Sequence, residues 1–518
     1  MGGPPRTLTA VACLLAIACA VGQPTPPAVD ATAGDSIGVL DLDGWRRADV
    51  AGLSVYTNAA DDEVGRVLRR TEQFVAFLGD FLGDFRLDGD TTAPRPTDVF
   101  VFARDEQLQL FTPEPGENGF GVLAYVAESL PKLSLASSVR SAAPELEIFQ
   151  HELVHVIHTS DPDRRFPPWV MEGLASYFAT VSFRSDVLTL GRPSDTWMAI
   201  VRSYDEALPL ARVFSWDRAE TLEPVRLYAD SWAFAHYGLQ SEAFGGPPRV
   251  GAFRAFVDRV GRGQAWLPAL EAAFDAPLAV VEAEFQDHRR RLRAAEVYRL
   301  AHLRVPLGTG TPAFVAVVAT EIARRLAELA TSVGEWGRDA RRRLYDHLLE
   351  SGPEDPDALV GRARVAIDDG DLELAQRLWE WVPPESRDGF EALLAQAELA
   401  QARWVAEPAD ARDRDGFNAA RDAWTRVLAA APDHLPALVS LGTLHGEAAK
   451  EDPRIGVDAL RRAAEIDPHR RSIRVALARL LARAGDVEAA RRELDPIAAL
   501  DGDTETAREA RRLLRELH

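Results

Sequence analysis

The stretch that decides the reading is "IFQHELVHVIHTSDPDRRFPPWVMEGLASYFA", Ile148 to Ala179. It sets His151, Glu152, His155, His158 and Glu172 into strongly apolar sequence. A buried helix carries polar groups only where they are satisfied, and metal ligation satisfies them. His151 and His155 stand four residues apart, so on a helix they share one face, one turn apart. Two imidazoles so placed can reach one zinc ion at about 2.0–2.1 Å each. Glu152 projects beside them, where a carboxylate can serve as general base toward an activated water. Leu146, Ile148, Phe149, Leu153, Val154, Val156 and Ile157 supply the apolar helix that the spacing requires.

A catalytic zinc takes three protein ligands and keeps one position open. Glu172, 17 residues beyond His155, is the candidate third ligand. The turn between them is rich in Asp, Arg and Pro, and Pro167 and Pro168 suit the first turn of a second helix. That helix can lie antiparallel to the first and bring Glu172 to the metal. Gly173 beside it allows the two helices to pack closely. His158 fails as a rival ligand. Seven residues rise ~10.5 Å along a helix, too far for three side chains to meet at one ion. It reads as a histidine at a helix end.

HExxH followed by W-x-x-E-G-x-A-x-Y resembles the gluzincin, or thermolysin-like, branch of the MA clan of zinc metallopeptidases. Within that branch the likeness is to bacterial exported peptidase-like domains. The resemblance spans about residues 45–290 and is sharpest over 147–180. It implies an α+β gluzincin-like catalytic domain, with His151, His155 and Glu172 as Zn2+ ligands and Glu152 as catalytic base. The implied reaction is peptide-bond hydrolysis, the base taking the water's proton and passing it to the leaving amine. An edge strand near Gly119–Glu128 would pair with an extended substrate. A later helix would supply an oxyanion partner from Tyr228, His236 or Tyr237, with Tyr228 preferred. Thermolysin-like members carry an acidic residue four positions after the third ligand, where this chain has Ser176. A hydroxyl accepts the orienting hydrogen bond more weakly.

Upstream of the motif, strand and helix patterns alternate. "LSVYTNA", "TDVFVFA", "GFGVLAYVAE" and "KLSLASS" read as strands, and "DDEVGRVLRRTEQFVAFLGDFLGDF" as an amphipathic helix. Downstream, the chain is helix-rich to about Arg293 and almost wholly helical beyond. The last third repeats itself. "GDLELAQRLWE" at Gly370 matches "GDVEAARREL" at Gly485, and Pro432 and Pro468 lie 36 residues apart, close to a tetratricopeptide period. A generic helical bundle is the competing description. Either way, helix pairs stack on a shared core and offer a groove to a partner. "GTGTPA" at Gly308 lacks the strand, helix and lysine of a phosphate loop and reads as a turn. The arginine runs Arg289–Arg293 and Arg341–Arg343 read as solvated helix faces.

The first residues, "MGGPPRTLTAVACLLAIACAVGQPTPP", show one basic residue, a short apolar run and small residues, the form of a secretory signal. Two processing routes fit, with an uncleaved anchor as a third. Ala18-Cys19-Ala20 suits an ordinary signal peptidase, and Ala16–Cys19 resembles a bacterial lipobox that would lipidate Cys19. Both cysteines, Cys13 and Cys19, fall in this segment, so any metal site further on uses histidine and carboxylate. A formal net charge of −21 argues against nucleic acid and against a polybasic membrane surface.

The expected organisation is therefore a signal peptide over 1–22, a linker over 23–36 and a gluzincin-like metallopeptidase domain over 37–295. A helical connector over 296–350 and tetratricopeptide-like repeats over 351–518 follow. The fold class is α+β followed by an all-α solenoid. The expected function is an exported zinc metallopeptidase, periplasmic or extracellular, acting on a protein or peptide substrate. A membrane enters only through a lipid anchor at Cys19. The repeats would recruit a protein partner or substrate. The alternative is a catalytically inactive scaffold that acts through its repeats, and a non-proteolytic metal hydrolase is a third reading.

Overall fold

The computed structural model describes residues 40–83, 97–111, 123–125, 133–138, 143–158, 166–216, 224–295, 301–304, 313–332, 337–468, 470–499 and 505–517. The signal and linker segments, Cys19, Gly308 and most of the Gly119–Glu128 strand lie outside these residues. The chain divides into two compact units, the first ending at Ala316 and the second running from Val317 to His518.

The first unit is built on a six-stranded sheet of order β4-β5-β3-β2-β1-β9. β1 (Arg46–Val50) and β2 (Leu53–Thr57) form an antiparallel hairpin. Its two-residue turn takes positive φ at Ala51 and Gly52 (51° and 82°), the turn geometry that matches strand twist. From β2 the chain passes through α1 (Asp61–Gly83) to β3 (Thr97–Phe102), which runs parallel to β2. Every residue of β3 is buried, as the apolar run Val99–Phe102 requires in a central strand. β4 (Leu123–Tyr125) and β5 (Leu133–Ser138) pair antiparallel, and β5 lies parallel to β3. A short α2 (Asp105–Leu108) sits between β3 and β4.

Two helices then carry the motif residues: α3 (Ala143–His158) and α4 (Pro168–Ala179). Pro168 opens α4 at a position whose N–H needs no helical partner. A small antiparallel sheet follows, of order β6-β7-β8, from Ser182–Arg184, Val187–Leu190 and Ala301–Arg304. Helices α5 (Asp195–Ser203), α6 (Leu210–Phe214), α7 (Pro224–Gln240), α8 (Val250–Gly261), α9 (Trp266–Phe274) and α10 (Leu278–Ala294) complete the unit. β9 (Val315–Ala316) returns to pair with β1. The core is strongly aromatic: Trp169, Phe214, Phe234, Phe256 and Phe274 pack ring against ring.

The second unit is helical throughout: α11 (Ala319–Ser332), α12 (Arg338–Ser351), α13 (Pro356–Asp368), α14 (Leu372–Trp381), α15 (Phe390–Ala406), α16 (Arg414–Ala430), α17 (Leu435–Glu447), α18 (Arg454–Ile466), α19 (Arg471–Arg483), α20 (Val487–Ala498) and α21 (Glu505–Glu516). Successive helices pack in pairs. The repeated Gly-Asp is the hinge of a pair. Gly370 and Gly485 take φ of 76° and 85°, which glycine adopts without strain. Asp371 and Asp486 then cap α14 and α20, accepting from Leu374 N and Ala489 N. Gly361, Gly442 and Gly456 face Tyr345, Leu460 and His445 so closely that a Cβ would collide.

The expected class, an α+β gluzincin-like peptidase domain ahead of an all-α solenoid, is corrected here. Helices make up 70% of the described residues, which form 21 α-helices. No strand among the described residues exceeds six residues. The strands among the described residues are short, while the Ala-, Leu- and Arg-rich runs sustain whole helices. The result is a helix-dominated chain with a tetratricopeptide-like solenoid and little sheet, not a separate α+β peptidase domain.

Two arginine runs also depart from expectation. Arg289 is 1% exposed. It donates to the carbonyls of Val201, Tyr204 and Asp205 and lies 3.5 Å from Asp230. Arg341 is buried against Asp368. These two fasten neighbouring elements instead of facing solvent.

Candidate metal centre

α3 is apolar on most of its surface, and it packs on β4, β5 and α4. Its last two turns carry His151, Glu152, His155 and His158. α4 is buried almost end to end, Glu172 included. It is held from the other side by α7, where Gly173 meets the Ser231 backbone. A Cβ at Gly173 would stand 2.6 Å from Ser231 O. The glycine therefore sets how closely α4 approaches α7, next to Glu172 in sequence.

The structure brings His151, His155 and Glu172 together, with one possible donor atom from each lying within 4.8 Å of the others. His151 Nε2 is 3.1 Å from Glu172 Oε2 and 3.1 Å from His155 Nε2. His155 Nε2 is 3.5 Å from the same carboxylate oxygen. A zinc ion holds N and O ligands at about 2.0–2.2 Å, and a tetrahedral arrangement then separates them by about 3.3–3.5 Å. The three edges observed bracket that value. Two imidazole nitrogens and a carboxylate oxygen, turned on one another in a mostly dry corner, fit the donor chemistry of zinc.

Glu152 follows His151 on α3 and is intermediate in burial. His158 is the last residue of α3 and packs on Phe166, with neither ring nitrogen hydrogen-bonded among the described residues. Burial above all pushes its pKa down to about 3 and keeps it neutral. It is not among the converging donors. Ser176 is buried, and its hydroxyl makes no hydrogen bond among the described residues.

The three oxyanion candidates all lie on α7 and each makes contacts of its own. Tyr228 stacks on Trp197 and meets Trp216 edge-on. His236 Nδ1 is 3.0 Å from His288 Nε2 on α10. Tyr237 donates to Glu284, which Arg249 also holds.

Two residues on α3 were not legible as site residues. Glu147 precedes His151 by one helical turn. Burial raises its carboxyl above the ordinary range, with the Arg192 charge opposing that and Asp195 adding to it. Gln150 is 2% exposed. One end of its amide faces Ala179 O (2.6 Å) and Val181 O (3.1 Å); both neighbours are acceptors, so the nitrogen is assigned to that end, from which it donates to both. The i−4 spacing could have pointed to Glu147. Nothing in the sequence marks Gln150, whose partners are backbone atoms.

A family profile for the tetratricopeptide repeat matches residues 447–517. No curated protein matches the chain. Similar solved structures include TTC0263, a thermophilic tetratricopeptide protein of Thermus thermophilus, at 20% identity and a TM-score of 0.29. That match covers 38% of this chain and 99% of the other. MamA of Desulfovibrio magneticus gives 18% identity and a TM-score of 0.28, over 34% and 92% of the two chains. Yeast Tom70 gives 12% identity and a TM-score of 0.29, over 72% and 76%. Scores this low do not establish a common overall fold. The family match identifies the helix pairs over 447–517 as tetratricopeptide-like.

Proposed function

We propose that the chain is a protein-interaction scaffold that holds a partner through its tetratricopeptide-like helices. The repeat match over 447–517, on helices that pack pairwise, carries this reading. Repeats of this kind stack into extended surfaces that suit protein ligands. The test is partner binding by the full chain. Gly442→Val drives a side chain into Leu460 and should abolish binding. Glu152→Gln should leave it intact. Binding that survives Gly442→Val, or fails in Glu152→Gln, counts against the scaffold reading.

A second reading rests on one observation, the 3.1–3.5 Å convergence of His151, His155 and Glu172. In it the chain is a zinc-dependent hydrolase acting on peptide bonds, and the repeats bring the substrate. Zinc, once bound, supplies Lewis acidity and a water that ionises near neutral pH. His151, His155 and Glu172 would hold the ion. Glu152 accepts the attacking water's proton and delivers it to the leaving amine. Export through the first 22 residues belongs to the same proposal. Glu152→Gln should keep zinc and lose cleavage of a protein substrate. Equal cleavage by the wild type and Glu152→Gln would remove this reading.

A further inference from the structure

We infer that Gln150 is a positioning residue for the metal centre, fixing α3 against α4 so that the three donor atoms converge. The inference rests on the zinc reading above. The ligands come from two helices, His151 and His155 from α3 and Glu172 from α4. α3 and α4 also share an apolar interface, but apolar packing is not directional and tolerates small rotations and slides. A second contact elsewhere on the same interface removes the freedom.

Gln150 makes that second contact. It precedes His151 directly, so it leaves α3 about 100° around the helix from the first ligand. One end of its amide lies 2.6 Å from Ala179 O, the last residue of α4, and 3.1 Å from Val181 O just beyond; two carbonyl oxygens at that range call for the NH2 end, and with the amide turned that way it donates to both. Helix ends leave carbonyls without intrahelical partners, and here a side chain of the neighbouring helix supplies a donor. Ala179 lies seven residues from Glu172, ~10 Å along the axis. On α3 the two contacts start from adjacent residues and on α4 they end about two turns apart, so together they fix the register of α3 along α4. Gln150 is buried, so water does not replace it cheaply.

The test is zinc affinity of the full-length chain, measured by competition with a chromogenic chelator, together with the visible spectrum of the cobalt-substituted protein. Gln150→Leu removes both donors at similar size. It should lose ~10–100-fold in zinc affinity, the usual effect of losing a residue that supports metal ligands, and shift the cobalt bands. Gln150→Asn keeps the amide one methylene short and should lose affinity too, which covers a Leu variant that does not fold. Thr180→Val is the structural control. It removes the bonds from Thr180 Oγ1 to Arg192 O (2.6 Å) and Tyr177 O (3.2 Å) at the same corner and leaves the Gln150 amide and its two acceptors in place. It should lower thermal stability and leave affinity and spectrum unchanged. Wild-type affinity in folded Gln150→Leu or Gln150→Asn overturns the inference, as does an equal loss in Thr180→Val. A wild-type chain that takes up no zinc overturns the metal reading itself, which is seen before any variant is made.

Discussion

The Nε2 atoms of His151 and His155 lie 3.1 Å apart, and both face the same oxygen of Glu172. Without a cation, three lone-pair donors crowd one another, and protons must be shared among them. A bound ion relieves that crowding and joins α3 to α4. Zinc should therefore stabilise the folded chain, by about 2.7 kcal/mol when free metal is a hundred times its dissociation constant. Thermal unfolding with added zinc and with chelator measures this. The shift should vanish in His155→Ala, and an equal shift in that variant would detach the stabilisation from this site.

Gly173 tests how α4 is seated. Its missing Cβ leaves room for the Ser231 backbone, which has no rotamer with which to move aside. Gly173→Ala should destabilise by about 1–3 kcal/mol, the range for overpacking a filled core, although alanine is the better helix former. Urea unfolding gives the value directly. A neutral or stabilising alanine would mean that α7 yields, and that the helix separation is not set here.

The two helices of the site were legible because their signals are local. Four-residue spacing placed His151 and His155 on one face, and Pro167-Pro168 marked the start of α4. The tetratricopeptide-like repeats were legible for the same reason, since Gly370-Asp371 and Gly485-Asp486 each encode a turn and a cap within two residues. The fold class was misjudged because short apolar runs, such as Thr97–Ala103, show that strands exist but not how little sheet they amount to. β8 and β9 were missed for a related cause. Ala301–Arg304 and Val315–Ala316 find their partners more than a hundred residues away, at β7 and β1. Arg289 shows the same limit in a side chain. Five arginine-rich residues look solvated until the loop at Tyr204 folds over one of them.

Arg289 and Asp230 form a buried pair that fastens the Val201–Leu208 segment. Arg289 donates to three carbonyls there, and Asp230 accepts from Leu208 N at 2.8 Å. Removing Arg289 leaves the buried Asp230 with the longer contact to Arg226, 3.9 Å away, and the Leu208 amide. Arg289→Met should therefore cost about 3–5 kcal/mol. The pair Arg289→Met with Asp230→Leu should cost less than the two single changes summed, because the second change removes the stranded charge. Urea midpoints of the three variants supply the cycle. Strict additivity would show that the two residues act independently.

His236 and His288 give the chain a predictable acid sensitivity. They meet between α7 and α10, with His236 Nδ1 3.0 Å from His288 Nε2, so one ring donates and the other accepts. Tyr177, Trp232 and Phe244 enclose His236, and Tyr237 and Phe244 lie against His288. Burial holds both rings neutral. His236 is lowered well below its ordinary value, with the His288 charge adding to the effect. His288 is lowered to about 4, with Arg291 adding and Asp287 opposing. The unfolded chain binds these protons near pH 6.5, so the folded state loses stability as the pH falls below that point. The loss continues down to about pH 4 for His288. Each depressed histidine should contribute a slope of up to about 1.4 kcal/mol per pH unit within this window. His288→Gln keeps a hydrogen-bonding group and removes one titration. Unfolding free energies at pH 7.5, 6.5 and 5.5 should fall less steeply in the variant than in the wild type. Both carry the same metal-site histidines, so the difference in slope belongs to this pair. Identical slopes would show that His288 titrates normally in the folded protein.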